Sequence, residues 1–201
     1  MPPRFRVILI SGFTAAGKTT HARLLAGSLG WDYIGMSELR RARLPRGVLG
    51  EHEWLPVVDE RRSASPESDE DLDRLMGLDI ATSTRPLVVD AWLQPWLCNR
   101  SDALRIWLQS DRSSRLLKAT VSHLRRGHGP PSSVAEQIRS KDQFSVDMFE
   151  SLYGIKFGYD ASLFDFSIDN SLYIQAASIC ASDRGIAEFE PELERAVKSY
   201  L

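Results

Sequence analysis

The feature that most constrains this chain is an eight-residue stretch near its start, Gly12-Phe13-Thr14-Ala15-Ala16-Gly17-Lys18-Thr19, which matches the pattern G-x-x-x-x-G-K-[ST]. An almost continuously apolar run rich in β-branched residues, Phe5 to Ile10, precedes it, and apolar residues at near-helical spacing follow it. The chain is therefore predicted to form a strand, a loop and a helix, which is the context that the pattern requires. Such a loop binds phosphate, because glycines let successive N–H groups face one concavity at the positive end of a helix.

Two side chains of this loop carry chemistry. Lys18 is long enough to reach the β and γ phosphates of a nucleotide, and Thr19 has a hydroxyl that suits Mg²⁺. We predict Lys18 as catalytic and Thr19 as a metal ligand. The predicted nucleotide-binding residues are Gly12, Thr14, Ala15, Ala16, Gly17, Lys18, Thr19 and Thr20. The loop alone does not separate a kinase from a GTPase switch or a motor.

Composition predicts one compact domain and excludes several classes of protein. The chain has 201 residues, 43% hydrophobic and 26% charged, as in ordinary globular proteins. Its formal net charge of −2 gives no basic surplus for a nucleic-acid polymer. Cys98 and Cys180 have no CxxC spacing, which indicates neither disulfides nor zinc and favours a reducing cytoplasm. The apolar run Val7 to Ile10 is too short for a signal peptide or a membrane span, so a soluble protein without a membrane partner is expected.

Further apolar runs of strand length alternate with predicted helices: Trp31 to Ile34, Pro86 to Trp92, Ala103 to Leu108 and Leu163 to Ile168. This alternation predicts the α/β class, with a parallel β-sheet and helices on both faces. Ligands of such sheets bind at the carboxyl ends of the strands. The Gly12 loop, Asp90 and Ser110 are therefore expected near one rim.

The predicted helices include one that starts at Glu38 behind a Ser37 cap, and three that cover Asp111 to Arg126, Val134 to Leu152, and Pro191 to Tyr200 with Pro191 in its first turn. Their charges differ sharply. The segment Glu51 to Asp73 holds nine acids and two bases, which predicts a mobile, solvated stretch, whereas the Asp111 helix holds five bases and one acid. We expect the two segments to flank a cleft and to close over bound substrates.

Two regions carry a resemblance to a known family. Val7 to Leu25 resembles the opening of nucleoside and nucleotide kinases. Phe149-Glu-Ser-Leu-Tyr-Gly-Ile155, followed by Ala161-Ser-Leu-Phe-Asp-Phe-Ser-Ile-Asp-Asn170, looks like the closing signature of the cytidylate kinase-like family, especially its short archaeal-type branch. The similarity runs from about Arg6 to Leu172.

This resemblance implies a P-loop kinase fold with a small helical lid, and ATP- and Mg²⁺-dependent transfer of the γ-phosphoryl group to CMP or dCMP. It implies a single domain over 1–201, with an acceptor-binding segment at about 36–85 and a lid at about 111–150. Because that chemistry consists mainly of positioning and charge stabilisation, several cations are expected around the transferring group.

The resemblance also assigns roles to basic residues. Arg40 matches the family arginine that grips the acceptor phosphate, and Ser37 lies on the same predicted helix; a solvated surface arginine is the alternative for Arg40. Arg115 matches an arginine that opens the basic helix, and Lys118 stands where a second arginine is usual. Arg125 falls where the lid begins. Arg115 is thus predicted as catalytic and nucleotide-binding, and Arg125 as nucleotide-binding, with a solvated basic face as the alternative.

Three departures from the family pattern put the acceptor in doubt. Asp90-Ala91-Trp92-Leu93 replaces Glu-Gly-Arg-Leu, so Trp92 stands where an acceptor-binding arginine is usual. Lys141-Asp142-Gln143 and then Met148 replace Arg-Glu-Glu and an arginine, although Arg139 is close enough to restore one cation. Each missing guanidinium removes charge-assisted hydrogen bonds of roughly 1.5 to 3 kcal/mol. The loss predicts either an acceptor with less charge than CMP or nucleotide binding without efficient transfer. The predicted acceptor-binding residues are Ser37, Arg40, Asp90, Trp92 and Lys141.

Three functions stay open at this point. The first is a kinase for a cytidylate-like or related nucleoside or nucleotide, with Trp92 either stacked on the acceptor or a core aromatic. The second is a kinase for a hydroxyl of a small metabolite or nucleoside, with Asp90 as the base. In the first, Asp90 would instead orient Mg²⁺ or cap the next helix. The third is a nucleotide-binding regulatory protein without turnover.

Overall fold

A five-stranded parallel sheet forms the centre of the protein. The structure, a computed structural model, describes residues 4–43, 66–127 and 133–201, with side chains described outside 40–43 and 66–69. The strands are β1 (Val7–Ser11), β2 (Asp32–Gly35), β3 (Leu87–Asp90), β4 (Ala103–Gln109) and β5 (Phe166–Asp169). They lie in the order β2-β3-β1-β4-β5, and every neighbouring pair is parallel. All carboxyl ends therefore point to one edge.

The described helices are α1 (Lys18–Leu29), α2 (Met36–Arg43), α3 (Pro66–Thr82), α4 (Gln94–Leu97), α5 (Arg112–Arg125), α6 (Val134–Tyr153) and α7 (Ile179–Lys198). They cover both faces of the sheet because β1 is apolar on both sides. Ile8 and Ile10 pack with residues of α1 and α7, and Val7 and Leu9 pack with residues of α3. The predicted α/β fold with helices on both faces is confirmed.

The predictions for the Ser37 cap and for the acidic segment differ from the structure. Helix α2 begins at Met36, so Ser37 is its second residue and does not cap it. The described end of the acidic segment, from Pro66, is helical. Its Glu70 and Asp71 are exposed, whereas Leu72 and Asp73 are buried, so the prediction of a solvated stretch is wrong for these last two residues. The rest of that segment lies outside the described residues.

The last helix starts twelve residues earlier than predicted. Helix α7 begins at Ile179 behind Ser178, whose hydroxyl accepts a hydrogen bond from the Ala181 N–H at 3.2 Å, and Pro191 lies inside the helix. Proline removes one helical hydrogen bond. The helix continues because Phe189 and Leu193 on either side of Pro191 are buried in the core.

One glycine of α7 permits a close approach that a larger residue would prevent. A Cβ at Gly185 would lie 2.1 Å from the carbonyl oxygen of Tyr173. Replacing Gly185 with alanine is expected to lower the free energy of unfolding by about 1 to 3 kcal/mol, because a packed backbone must move. In the matched variant Gly27→Ala in α1, a Cβ meets nothing within 4 Å, so a gain of about 0.5 to 1 kcal/mol is expected. Denaturant titration measures both, and equal shifts would contradict this packing.

Candidate active site

The phosphate loop lies between β1 and α1, at the carboxyl edge of the sheet. Gly12 has φ 155°, and a Cβ there would lie 2.5 Å from the carbonyl oxygen of Leu108. Gly17 has φ 97°, and Ala15, with φ 61°, is the non-glycine residue with positive φ among those the structure describes. Such a loop aims backbone N–H groups at an anion. The backbone therefore has the form that phosphate binding needs.

Lys18 is folded back over the mouth of this loop. Its Nζ donates to the carbonyl oxygens of Gly12 at 2.8 Å and Phe13 at 3.0 Å, and lies 5.3 Å from the centre of the Trp92 ring. The residue is only 8% exposed. Burial lowers the pKa of Lys18 to about 8, although the nearby carboxylates of Asp90 and Asp142 act in the opposite direction. The described hydrogen bonds of the ammonium go to neutral carbonyl oxygens, which favours its interaction with an arriving anion.

Thr19 and Asp90 form the second part of the site. Asp90 ends β3 and pairs in register with Ile10 of β1, and its carboxylate accepts a hydrogen bond from the Thr19 hydroxyl. Burial raises the pKa of Asp90, while Lys18 and the Thr19 hydroxyl act to lower it. A hydroxyl and a carboxylate side by side are the oxygen donors that Mg²⁺ prefers. These two residues fit the predicted metal position.

A third group of contacts joins the loop to α5 and α6. The Arg115 guanidinium donates to the carboxylate of Asp142 and to the carbonyl oxygen of Thr14 at 3.3 Å. The N–H of Thr14 donates to the other Asp142 oxygen at 3.0 Å. The Arg115 guanidinium also lies 5.4 Å from the centre of the Phe13 ring. The arrangement holds the Arg115 guanidinium directly beside the phosphate loop.

A cavity of about 280 Å³ opens beside this ion pair, between α5 and α6. Its lining combines an apolar floor with three arginines and one carboxylate: Phe13, Arg112, Arg115, Leu116, Ala135, Ile138, Arg139, Asp142, Gln143 and Val146. The presence of Arg139 here agrees with the expectation that it can supply a cation near Lys141. Such a lining suits an anionic ligand.

Within the part of the chain that the structure describes, two buried polar atoms beside the loop lack hydrogen-bond partners that a phosphate group could supply. Thr14 Oγ1 and Arg115 Nε have no hydrogen-bond partner among the described residues. Buried donors without partners are costly unless a ligand or water satisfies them. Together with the loop geometry, they fit a phosphate group at this position.

Trp92 follows β3, and its carbonyl oxygen accepts a hydrogen bond from the Ser11 hydroxyl at 2.7 Å. Its half-buried ring packs edge-on against Phe149 at 5.8 Å and stacks on Phe157 at 6.0 Å. Lys141 Nζ lies 5.8 Å from the centre of the same ring. Trp92 is therefore a packed aromatic, and it also forms part of the surface between two lysines.

Lys118 holds neighbouring elements together through hydrogen bonds. Its Nζ donates to Ser110 Oγ at 2.8 Å and to the side-chain oxygen of Asn170. The Asn170 side chain in turn donates to the carbonyl oxygen of Ala16 at 2.8 Å. Burial lowers the pKa of Lys118 to about 8. This chain of contacts ties α5 and the end of β5 to the phosphate loop, a link that was not predicted from the sequence.

Of the remaining predicted residues, Thr20 adjoins the loop as the third residue of α1, whereas no described contact joins Arg125 or Ser37 to the loop. Arg125 lies ten residues beyond Arg115 on α5, about 15 Å along the helix axis, and pairs with Asp183 of α7. The nucleotide contact of Arg125 therefore stays a prediction. Thr20 and Ser37 are exposed. Arg40 lies on α2, but its side chain is outside the described residues.

In residues 4–43, 66–127 and 133–201, no group of three or more His, Cys, Asp or Glu side chains is placed to hold a metal ion. Across the same ranges, no helix is both long and apolar enough to cross a membrane.

The parallel sheet and the glycine-rich loop between β1 and α1 are those of the P-loop kinase class. No family model matches the chain. A cytidylate kinase from Haloarcula marismortui is 21% identical over 188 residues, which cover 92% of this chain and 92% of that protein. A cytidylate kinase from Sulfurisphaera tokodaii is 26% identical over 81% of this chain and 85% of its own length. The predicted resemblance to cytidylate kinases is confirmed.

Solved structures agree with this class. A gluconokinase from Sinorhizobium meliloti 1021 matches with a TM-score of 0.51 and 15% identity, over 95% of this chain and 97% of that one. A shikimate kinase from Bacteroides thetaiotaomicron matches with a TM-score of 0.52 and 14% identity, over 94% and 98%. At this identity the structural matches show the fold. The relatives support a kinase and do not single out its acceptor.

Proposed function

We propose that this protein is an ATP- and Mg²⁺-dependent kinase that transfers the γ-phosphoryl group to a cytidylate-like or related nucleoside or nucleotide. The observation that carries the proposal is the contact of Thr19 with Asp90 next to the buried Lys18, at the carboxyl edge of the sheet. The names of the curated relatives support the choice of acceptor class. A cytoplasmic location and a small-molecule acceptor belong to the same proposal.

The proposed chemistry needs positioning and positive charge. The N–H groups of the phosphate loop would hold the phosphates, and Lys18 would turn from the Gly12 and Phe13 carbonyls to the transferring group. Arg115 would supply a second cation from α5. Thr19 would hold Mg²⁺, with Asp90 orienting it; the bound metal neutralises charge on the phosphates. The segments at about 36–85 and 111–150 would bring the acceptor and the lid to this edge.

The acceptor would lie beside Trp92, where the family pattern has an arginine. Lys141 near the Trp92 ring and Arg139 in the lining of the cavity are cations available to compensate for the missing guanidinium. The ring itself offers a flat surface for a base. We keep Ser37 and Arg40 of α2 as proposed contacts on the other side of the acceptor.

A second function is favoured by one observation. Asp90 is 4% exposed and burial raises its pKa, which brings a carboxylate closer to the behaviour of a general base near neutral pH. A kinase for a hydroxyl of a small metabolite or nucleoside would use such a base. The contact with Thr19 engages one oxygen of Asp90 and favours the metal role instead.

An acceptor screen tests the proposal. ADP formation would be followed with nucleosides, nucleoside monophosphates and small hydroxylated metabolites, and the new phosphate would be located by mass and phosphorus NMR. We expect a nucleoside diphosphate from a pyrimidine monophosphate, or a pyrimidine monophosphate from a nucleoside. A product phosphorylated on a metabolite hydroxyl would favour the second function. ATP binding without any product would favour a regulatory protein.

Lys18 predicts a pH dependence for ATP affinity. Because its pKa is lowered to about 8 in the free protein, the ammonium loses its proton as pH rises above that value, and phosphate binding must restore the charge. The affinity for ATP is therefore expected to fall above pH 8, by up to about tenfold per pH unit.

Calorimetric titrations with ATP from pH 7 to 9.5 measure this fall. In the Lys18→Arg variant the guanidinium stays charged over that range, so the affinity of this variant for ATP is expected to change little with pH. The same slope in both proteins would contradict the assignment to Lys18.

A further inference from the structure

The carboxylate of Asp142 takes the two kinds of donor that a phosphate group would need. One oxygen accepts from the Thr14 N–H at 3.0 Å, and the other accepts from the Arg115 guanidinium. The side chains of Arg115 and Asp142 are only 13% and 15% exposed. A loop N–H and a guanidinium are typical ligands of phosphate oxygens. Asp142 thus resembles an internal anion bound at the loop.

The position of this contact decides which phosphate would compete with it. An inner phosphate belongs at the N-terminus of α1, close to Gly17 and Lys18. Thr14 lies in the half of the loop that follows β1, away from the start of α1. Asp142 lines the cavity between α5 and α6. A terminal phosphate that points from the helix end toward the cavity would meet the Thr14 N–H and Arg115. Asp142 therefore overlaps with the terminal phosphate and not with the inner ones.

We propose that Asp142 is a positioning residue that occupies the terminal-phosphate position in the free protein and is displaced when a nucleoside triphosphate binds. The inference rests on the proposed function, because it takes the loop as the triphosphate site. Two anions a few ångströms apart in a partly buried site repel each other, so the carboxylate and the phosphate cannot share the same donors. Arg115 then passes from Asp142 to the phosphate, already held at the loop.

Displacement has a measurable consequence for nucleotide selectivity. ATP must break the Asp142 contacts before its terminal phosphate can bind, so its apparent affinity is reduced by the fraction of molecules in which they are intact. ADP has no terminal phosphate at that position and leaves the contacts in place. Asp142 therefore lowers the preference of the free protein for ATP over ADP.

The test is calorimetric titration of the full chain with Mg²⁺-ATP and Mg²⁺-ADP, without acceptor, so that it reports binding whether or not transfer occurs. Asp142→Asn is expected to tighten ATP binding by at least about fivefold, the lower end of typical coupling between sites, and to leave ADP binding within about twofold. Glu150→Gln is the matched control, because it removes one carboxylate from an exposed position of α6. It should change neither affinity. Weaker or unchanged ATP binding in Asp142→Asn would overturn the proposal.

Two further measurements test the role of Asp142 even if the Asp142→Asn variant does not fold. Asp142→Glu keeps the negative charge, so its ratio of ATP to ADP affinity is expected to remain within about threefold of the wild-type ratio. In the wild-type chain, the backbone amide NMR signal of Thr14 should shift with ATP and stay near its free position with ADP. An equal shift with both nucleotides, or no ATP binding at all, would overturn the role of Asp142. Absence of phosphoryl transfer alone would contradict the kinase proposal and leave this one standing.

Discussion

Replacing Lys18 with methionine is expected to lower the rate of phosphoryl transfer by at least about a hundredfold while the fold stays intact. The ammonium is the cation closest to the phosphate loop, and methionine keeps its length without its charge. The fold should survive because the partners of Lys18 are two carbonyl oxygens of the loop. Steady-state rates and thermal unfolding measure the two effects separately.

Lys118→Met is the matched comparison for this variant. Both lysines have a pKa of about 8 because of burial, but Lys118 supports structure through Ser110 and Asn170. Its loss is expected to lower the melting temperature, whereas the loss of Lys18 removes a costly buried charge and should not. Transfer by Lys18→Met within tenfold of wild type would show that this loop does not hold the transferring phosphate.

Asp90→Asn is expected to lower the rate of transfer by about a hundredfold and to shift the Mg²⁺ requirement to higher concentration. Asparagine has nearly the same shape and can still accept from the Thr19 hydroxyl, so the lost quantity is the negative charge. If that charge orients Mg²⁺, added metal should restore part of the rate. Rates over a Mg²⁺ series, together with the Mg²⁺ dependence of ATP affinity, measure the effect.

The same variant separates the two acceptor classes. A hydroxyl acceptor would lose its base, and neither metal nor pH would restore the rate. Asp79→Asn, on the exposed surface of α3, is a control for the change in charge. A rate that collapses in Asp90→Asn without any response to Mg²⁺ would favour the hydroxyl acceptor. An unchanged rate would contradict both roles of Asp90.

The fold could be predicted from the sequence because its signals are local. Continuous apolar strands such as β1 predict a sheet covered on both faces, and the motif that follows fixes where the phosphate loop lies. The extent of α7 was missed because Pro191 is a strong local signal for a helix start, whereas the burial of Phe189 and Leu193 depends on tertiary packing. The Ser178 cap was the signal that could have corrected it.

The site was only partly predictable. Lys18, Thr19, Asp90 and Arg115 follow from the motif, from strand ends and from the family resemblance. The hydrogen bond from the Thr14 N–H to Asp142 could not be predicted. Nearly every residue type has a backbone N–H, so the sequence does not show which one a distant carboxylate will contact. The nucleotide contact of Arg125 stays a prediction: its charge fits the pattern, and the structure places it on α5 in an ion pair with Asp183. Trp92 packs on Phe149 and Phe157 as an aromatic of the core would, and its stacking on an acceptor stays a proposal.

Tracing the terminal phosphate of ATP tests the central claim most directly. Wild-type protein would be incubated with Mg²⁺ and ATP labelled with ¹⁸O on its γ-phosphate, first alone and then with the acceptor selected by the screen, and followed by phosphorus NMR. We predict that the ¹⁸O-labelled phosphoryl group appears in the acceptor product in an amount equal to the ADP formed. ATP incubated without acceptor should stay intact. If the labelled phosphoryl group stays in ATP, the proposal of a kinase is contradicted. The same holds if it appears only as inorganic phosphate, at the same rate with and without acceptor.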